Sequence, residues 1–177
     1  DTIISSDLIL WNELRKGSGH AFREVYQKYV NLLYNYGYKF TSDKQLTEDC
    51  IQEIFIDIFR NHSNLSPTDN IKLYLFKALR RRIIKELKKL KNTITQYDHE
   101  LSFEPEYKEN TFNGSNQLFC ILQSLPPRQK EVIFLKFYED MDYEEICQVM
   151  EMNYQSVRNL MHRAMQSLRE MADKKAQ

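Results

Sequence analysis

The chain has 177 residues, 42% of them hydrophobic, and its 25 basic and 25 acidic side chains cancel to a net charge of zero. That length allows one domain or two small ones, and only 4 Gly and 4 Pro leave little material for a turn-rich β protein. No apolar run approaches the roughly 20 residues of a membrane span and no secretory leader opens the chain, so a cytoplasmic protein without membrane insertion is expected.

Helical spacing recurs throughout and strand-like alternation is scarce, which predicts an all-α fold. Ser6 is placed to cap a first helix from Asp7 to about Lys16, with Leu8, Ile9 and Trp11 as its apolar material, and Gly17-Ser18-Gly19 breaks it. A long second helix is expected from His20 to about Phe40, where Phe22, Val25, Tyr26, Tyr29, Leu32, Leu33 and Tyr36 form a wide apolar stripe. Beyond Thr41-Ser42-Asp43, a third helix from Gln45 to about Asn61 buries Leu46, Ile51, Ile54, Phe55, Ile58 and Phe59. A polar loop from His62 to Asp69 leads to a fourth helix from about Asn70 to Lys91.

Residues 93–116 lack clean periodicity and carry Asn113-Gly114-Ser115-Asn116, so they read as a linker between a domain at 1–92 and another at 117–177. The second domain is expected to hold four helices. The first, Gln117 to Ser124, ends at Pro126-Pro127, where a proline can sit in the first turn of the next. That next helix runs to about Tyr138 with Val132, Ile133, Leu135 and Phe137 inward. Asp142-Tyr143-Glu144-Glu145 has capping-box spacing and opens a helix to Met150. After Glu151-Met152-Asn153, in which Asn153 is a good N-cap, a last helix runs from Tyr154 to about Met171. It puts Val157, Leu160, Met161, Ala164 and Leu168 on one side and Arg158, Asn159, His162, Arg163 and Arg169 on the other. Two helices in tandem with an Arg-bearing second member have the geometry of a DNA-reading helix-turn-helix; a plain αα-hairpin with its charges in water is the alternative. Glu151 stands where such turns usually hold Gly, and a left-handed conformation there is strained.

Zero net charge conceals a strong separation. Nine basic residues (Lys72, Lys77, Arg80, Arg81, Arg82, Lys85, Lys88, Lys89 and Lys91) lie on the fourth helix against Glu86 alone, whereas Asp98, Glu100, Glu104, Glu106 and Glu109 crowd the linker. A cationic cluster of this density suits phosphate, and with Tyr74 and Phe76 interleaved it suits single-stranded or distorted nucleic acid; core packing of the aromatics and solvation of the charges is the plainer reading. On the third helix, Asp49, Gln52 and Glu53 lie side by side at spacings of three and four, either as a solvated face or as a docking face for a basic partner. No His completes a catalytic site with them, so no enzymatic activity is expected. Cys50, Cys120 and Cys147, and His20, His62, His99 and His162, match no metal spacing, so reduced buried thiols, no metal and no cofactor are expected.

In this setting Glu48-Asp49-Cys50-Ile51-Gln52-Glu53-Ile54-Phe55 resembles the acid-pair and Gln-Glu-Val-Phe motif of bacterial extracytoplasmic-function (group four) sigma factors. Leu125-Pro126-Pro127-Arg128-Gln129-Lys130-Glu131, Tyr143-Glu144-Glu145-Ile146, Val157-Arg158 and His162-Arg163-Ala164 are similar to the opening, first helix and recognition helix of that family's promoter-binding domain. The resemblance covers about 21–91 and 117–169. It implies an alternative sigma factor of two small helical domains joined by a flexible acidic linker, whose partners are RNA polymerase core, duplex and melted promoter DNA, and an anti-sigma factor. By position, Asp49, Gln52 and Glu53 would grip the clamp helices of the largest polymerase subunit. Asn64, Ser66, Lys77, Arg80, Arg81 and Arg82 would melt and hold the minus-ten element. Arg158, Asn159, His162 and Arg163 would read the minus-thirty-five element, and the linker carboxylates would stand in for nucleic-acid phosphates. Arg81 and Lys85 stand where the family often has Asn and Asp. The rival reading is a stand-alone helix-turn-helix regulator with a helical partner-binding domain.

Overall fold

The computed structural model describes residues 6–97, 122 and 124–175, and every regular element among them is helical. The chain divides into two compact units, Asp1–Phe103 and Glu104–Gln177.

Four helices build the first unit: α1 (Ser6–Arg15), α2 (Gly19–Thr41), α3 (Lys44–Arg60) and α4 (Ile71–Tyr97), with a short 3-10 turn at His62–Asn64. Local chemistry sets each start. The Ser18 hydroxyl accepts from the Ala21 amide, the Asp43 carboxylate from the Leu46 amide, and the Asn70 side chain from the Leu73 amide at 2.9 Å, each taking one of the amides a helix start leaves orphaned. Gly17 adopts φ +88°, a conformation open to glycine at no steric cost.

The core follows the i, i+3/i+4 rows. Ala21, Val25, Tyr29, Leu33 and Tyr36 of α2 meet Cys50, Ile51, Ile54, Phe55 and Ile58 of α3 and Ile71, Leu75, Phe76, Leu79 and Ile83 of α4. At Gly37 α2 leaves no room for a side chain against α3 and α4: a Cβ there would lie 2.6 Å from Thr47 Cγ2 and 3.4 Å from Leu79 and Ile83. Trp11 and Leu14 of α1 are buried as well. Three expected core residues are not in it: Ile9, Tyr26 and Phe59 are 55%, 40% and 63% exposed. Periodicity marks a stripe, but with four helices in contact the edge of the stripe lies where the neighbouring helix ends. The fourth helix also overruns its expected end, continuing past Lys91 to Tyr97, because no Gly or Pro intervenes to stop it.

In the second unit, Leu122 and Ser124 are helical, and the rest of the helix expected over Gln117–Ser124 lies outside the described residues, as does the acidic run from Asp98 to Glu109. Three helices follow: α5 (Pro127–Phe137), α6 (Tyr143–Met150) and α7 (Tyr154–Lys175). Val132, Ile133, Phe134 and Leu135 of α5 pack with Ile146, Val149 and Met150 of α6 and Val157, Met161 and Ala164 of α7. Phe137, expected inward, is 62% exposed in the last turn of α5.

Candidate functional site

Three surfaces carry the chemistry, and two lie on the first unit. On α3, Asp49, Gln52 and Glu53 are all exposed. Gln45 donates to Asp49 at 2.9 Å. Glu53 is not free for a partner alone: Arg82 of α4 reaches it at 2.7 Å and also pairs with Asp57. One face therefore combines two outward acids and an amide with an ion-pair bridge to the basic helix.

On α4 the rotation of the helix sorts the cations. Arg80 is only 6% exposed, on the edge of the side of α4 that carries the buried Phe76 and Ile83, so it offers little surface to DNA and the expectation of DNA contact by Arg80 is withdrawn. Arg81 and Lys85 are exposed, Lys77 is half-buried, and Arg82 is committed to Glu53 and Asp57. Of the interleaved aromatics, Phe76 is fully buried against Tyr36, while Tyr74 is half-buried and sits 4.8 Å from the Trp11 ring. An open groove of about 570 Å³ runs between α3 and α4. Its lining includes the apolar Ile54, Ile58 and Leu65, the Tyr74 ring, and the charged Arg81, Arg82, Lys85 and Asp57.

The loop between α3 and α4 is held from behind by α1. Trp11 donates its indole N–H to the Ser66 carbonyl at 2.8 Å, and Arg15 Nε donates to the Leu65 carbonyl at 2.7 Å. His62 Nδ1 lies 3.0 Å from the Arg15 carbonyl; since a carbonyl only accepts, that nitrogen carries the proton. The backbone is thereby pinned while the Asn64 and Ser66 side chains stay exposed. Asp7 ties the same helix to α2 and α4, accepting from Lys28 and from the Tyr29 hydroxyl, each at 3.0 Å, and from the Ile71 amide at 3.2 Å. Burial pulls its carboxyl up, but the hydrogen bonds from Lys28, Ile71 and Tyr29 outweigh it and hold the group below its ordinary value. Trp11, Arg15 and Asp7 were not expected to serve this loop. The lone Trp of the chain, one turn before an Arg, was the available signal.

The third surface is the helix-turn-helix. The capping box is complete: Asp142 accepts from the Glu145 amide at 2.7 Å, and Glu145 accepts from the Asp142 amide at 3.0 Å. Glu151 does take the left-handed conformation, φ 54° and ψ 47°, and Asn153 caps α7 by accepting from the Ser156 amide at 2.8 Å. Arg158, Asn159, His162 and Arg163 are all exposed, opposite the buried Val157, Met161 and Ala164. Arg158 lies 5.6 Å from the Tyr143 ring centre and 6.0 Å from that of Tyr154.

Thiol chemistry is not part of these surfaces. Burial, assisted by Glu86 and Glu53, pushes Cys50 up to about 11, and burial raises Cys147 too; Cys120 lies outside the described residues. Among the described residues no His, Cys, Asp and Glu cluster could hold a metal ion, and no helix is long and apolar enough to cross a membrane.

A helical unit with an acidic face and a basic helix, followed by a helix-turn-helix unit, agrees with the layout expected from the sequence. Residues 25–93 match the family model for sigma-70 region 2, and residues 115–168 match that for sigma-70 region 4. The extracytoplasmic-function RNA polymerase sigma factor SigM of Bacillus subtilis is 25% identical over 150 residues, spanning 82% of this chain and 91% of SigM. The RNA polymerase sigma factor SigV of the same organism is 26% identical over 136 residues, 77% and 81% of the two chains. Among solved structures, the sigma factor RpoE in complex with the anti-sigma factor NepR, from Bartonella quintana, superposes with a TM-score of 0.72 at 17% identity over 86% of this chain and 96% of that one. CnrH in complex with the cytosolic domain of CnrY gives 0.66 at 17%, over 95% and 97%. The chain belongs to the sigma-70 family, in its extracytoplasmic-function group. It is an alternative sigma factor, acting with RNA polymerase core in promoter recognition and transcription initiation. The stand-alone regulator is not favoured, since the region 2 match accounts for the half of the chain that reading left unexplained.

Proposed function

We propose that the two units divide initiation between them, without chemistry of their own, in the cytoplasm. Asp49, Gln52 and Glu53 dock on the clamp helices of the largest polymerase subunit. The pinned loop presents Asn64 and Ser66 to an unstacked base of the minus-ten element, while Lys77 and Arg81 track the adjoining backbone and Arg82, held by Glu53 and Asp57, ties the basic helix to α3. Melted DNA needs both a cationic rail and a π surface, and the α3–α4 groove supplies both in Arg81, Lys85 and Tyr74. Arg158, Asn159, His162 and Arg163 enter the major groove of the minus-thirty-five element. The observation that carries this reading is the loop: side chains left exposed on a backbone fixed from behind by Trp11 and Arg15.

An anti-sigma factor fits the same surfaces, and the neighbouring structures with NepR and CnrY support that expectation. The test is reconstitution. The purified chain should comigrate with polymerase core on size exclusion and open promoters in run-off transcription on genomic fragments. Comigration without opening would remove the minus-ten assignment, and no comigration would remove the docking face.

A further inference from the structure

The helix-turn-helix holds an arrangement that the capping and periodicity patterns do not explain. Tyr143 is the first residue of α6 and Tyr154 the first of α7. Their rings lie 5.8 Å apart, tilted by 60°. Neither is in the core: Tyr143 is half-buried and Tyr154 is 45% exposed. The Arg158 guanidinium, one turn along α7 from Tyr154, lies within cation–π reach of both rings. Tyr143 has a second cation beside it. The Lys136 ammonium of α5 lies 5.6 Å from its ring centre and is itself fixed by donating to the Met141 carbonyl at 3.0 Å. Two helix starts thus meet on one arginine at the exposed start of α7, and a third helix contacts Tyr143.

We infer that Tyr143 and Tyr154 are positioning residues that set Arg158 for base reading and so determine selectivity at one promoter position. The inference rests on the proposed role of Arg158 at the minus-thirty-five element. An arginine reads guanine through two parallel N–H bonds in a fixed fork, and a free side chain must give up considerable rotamer freedom to reach that geometry. Two ring faces restrict the guanidinium beforehand, so less is lost on binding. At Tyr143 the attraction comes from the ring, so phenylalanine serves there as well as tyrosine; at Tyr154 the hydroxyl also accepts from the guanidinium, so ring and hydroxyl together hold Arg158.

The experiment uses the full chain reconstituted with polymerase core and a promoter library randomised across the upstream element, with base preference read by sequencing the transcripts. Arg158→Ala should flatten preference at one position. Tyr143→Leu and Tyr154→Leu, which keep apolar bulk, should each lower preference at that same position by about two- to five-fold, the equivalent of one exposed cation–π contact, and leave other positions alone. Tyr143→Phe should retain it, whereas Tyr154→Phe, which removes the hydroxyl that accepts from Arg158, should lose part of it. In an Arg158→Ala background the leucine changes should add nothing. If Arg158→Ala flattens a position and the leucine variants leave it sharp, the positioning role is overturned and base reading by Arg158 stands. A uniform loss at every position, matched by a lower thermal midpoint, overturns it in favour of a structural role. If Arg158→Ala flattens no position, Arg158 reads no base and both fall.

Discussion

Replacing Trp11 with Phe isolates what α1 does for the α3–α4 loop. Trp11 is fully buried, its indole N–H donates to the Ser66 carbonyl at 2.8 Å, and its ring lies 4.8 Å from that of Tyr74. Phenylalanine keeps an aromatic ring in place but removes the donor and shrinks the side chain. A partly buried carbonyl left unpaired costs about 1 kcal/mol when water can reach it, and the low end applies because Ser66 is exposed. The lost ring volume costs about 1–2 kcal/mol more. The sum, about 2–3 kcal/mol, lowers the midpoint of a unit this size by on the order of 10–20 °C. Calorimetry gives the stability and hydrogen exchange at the Leu65 and Ser66 amides gives the local effect. Promoter opening, followed by permanganate reactivity, should fall further than core binding, because the loop loses its anchor while Asp49 and Gln52 stand on α3. A variant within about 0.5 kcal/mol of the parent, with unchanged exchange in the loop, would refute the claim that Trp11 pins it.

The docking face is best probed by Asp49→Arg, since Glu53 also pairs with Arg82 and its reversal would disturb α4. Losing one side of a desolvated charge contact costs about 2–5 kcal/mol, so affinity for core in a fluorescence titration should fall about thirty-fold or more. Arg80→Ala should lower stability, because Arg80 is buried. Arg81→Ala should leave stability within about 0.5 kcal/mol and slow promoter opening; the reverse pattern in thermal melts and run-off assays would invert the sorting of the two. Asp7 makes the first unit acid-sensitive in a defined window. Its carboxyl is held below the ordinary 3.8, so its contribution is present above pH 3.8 and is lost as the pH falls through the lower folded value. The stability gap between the parent and Asp7→Asn in urea unfolding should therefore be wide at neutral pH and close below pH 3.8. Glu151→Gly removes a left-handed glutamate at φ 54°. Relief of about 1–2 kcal/mol, less the backbone entropy of glycine, should stabilise the second unit by about 0.5–1 kcal/mol in urea unfolding.

Much of this protein is written in stretches of a few residues. The capping box at Asp142 and Glu145, the Asn153 cap and the helix over Tyr143–Met150 all follow from interactions spanning four residues or fewer, and so they were legible before any fold was known; Glu151, whose strain in a left-handed conformation counted against the turn, adopts that conformation all the same. The outward side of α7 was legible too, because an isolated helix with one apolar row has only one way to face its core. The same holds for Asp49, Gln52 and Glu53, whose spacing alone makes them neighbours.

What the tertiary structure decided is which of several equivalent-looking residues face which neighbour. Arg80, Arg81 and Arg82 are consecutive and chemically alike. Rotation by about 100° per residue puts the first at the edge of the buried side, leaves the second outward and brings the third onto Glu53 and Asp57 of α3. Charge counting cannot distinguish them, because the distinction depends on where α3 lies against α4. Trp11 and Ser66 are 55 residues apart, and Arg15 and Leu65 are 50 apart, so their hydrogen bonds exist only once α1 has packed on the first unit. Tyr143 and Arg158 meet only because the turn at Glu151 reverses the chain. Sequence patterns encode the energy of near neighbours directly, whereas contacts between distant segments depend on loop geometry and helix rotation, which the folded chain alone settles.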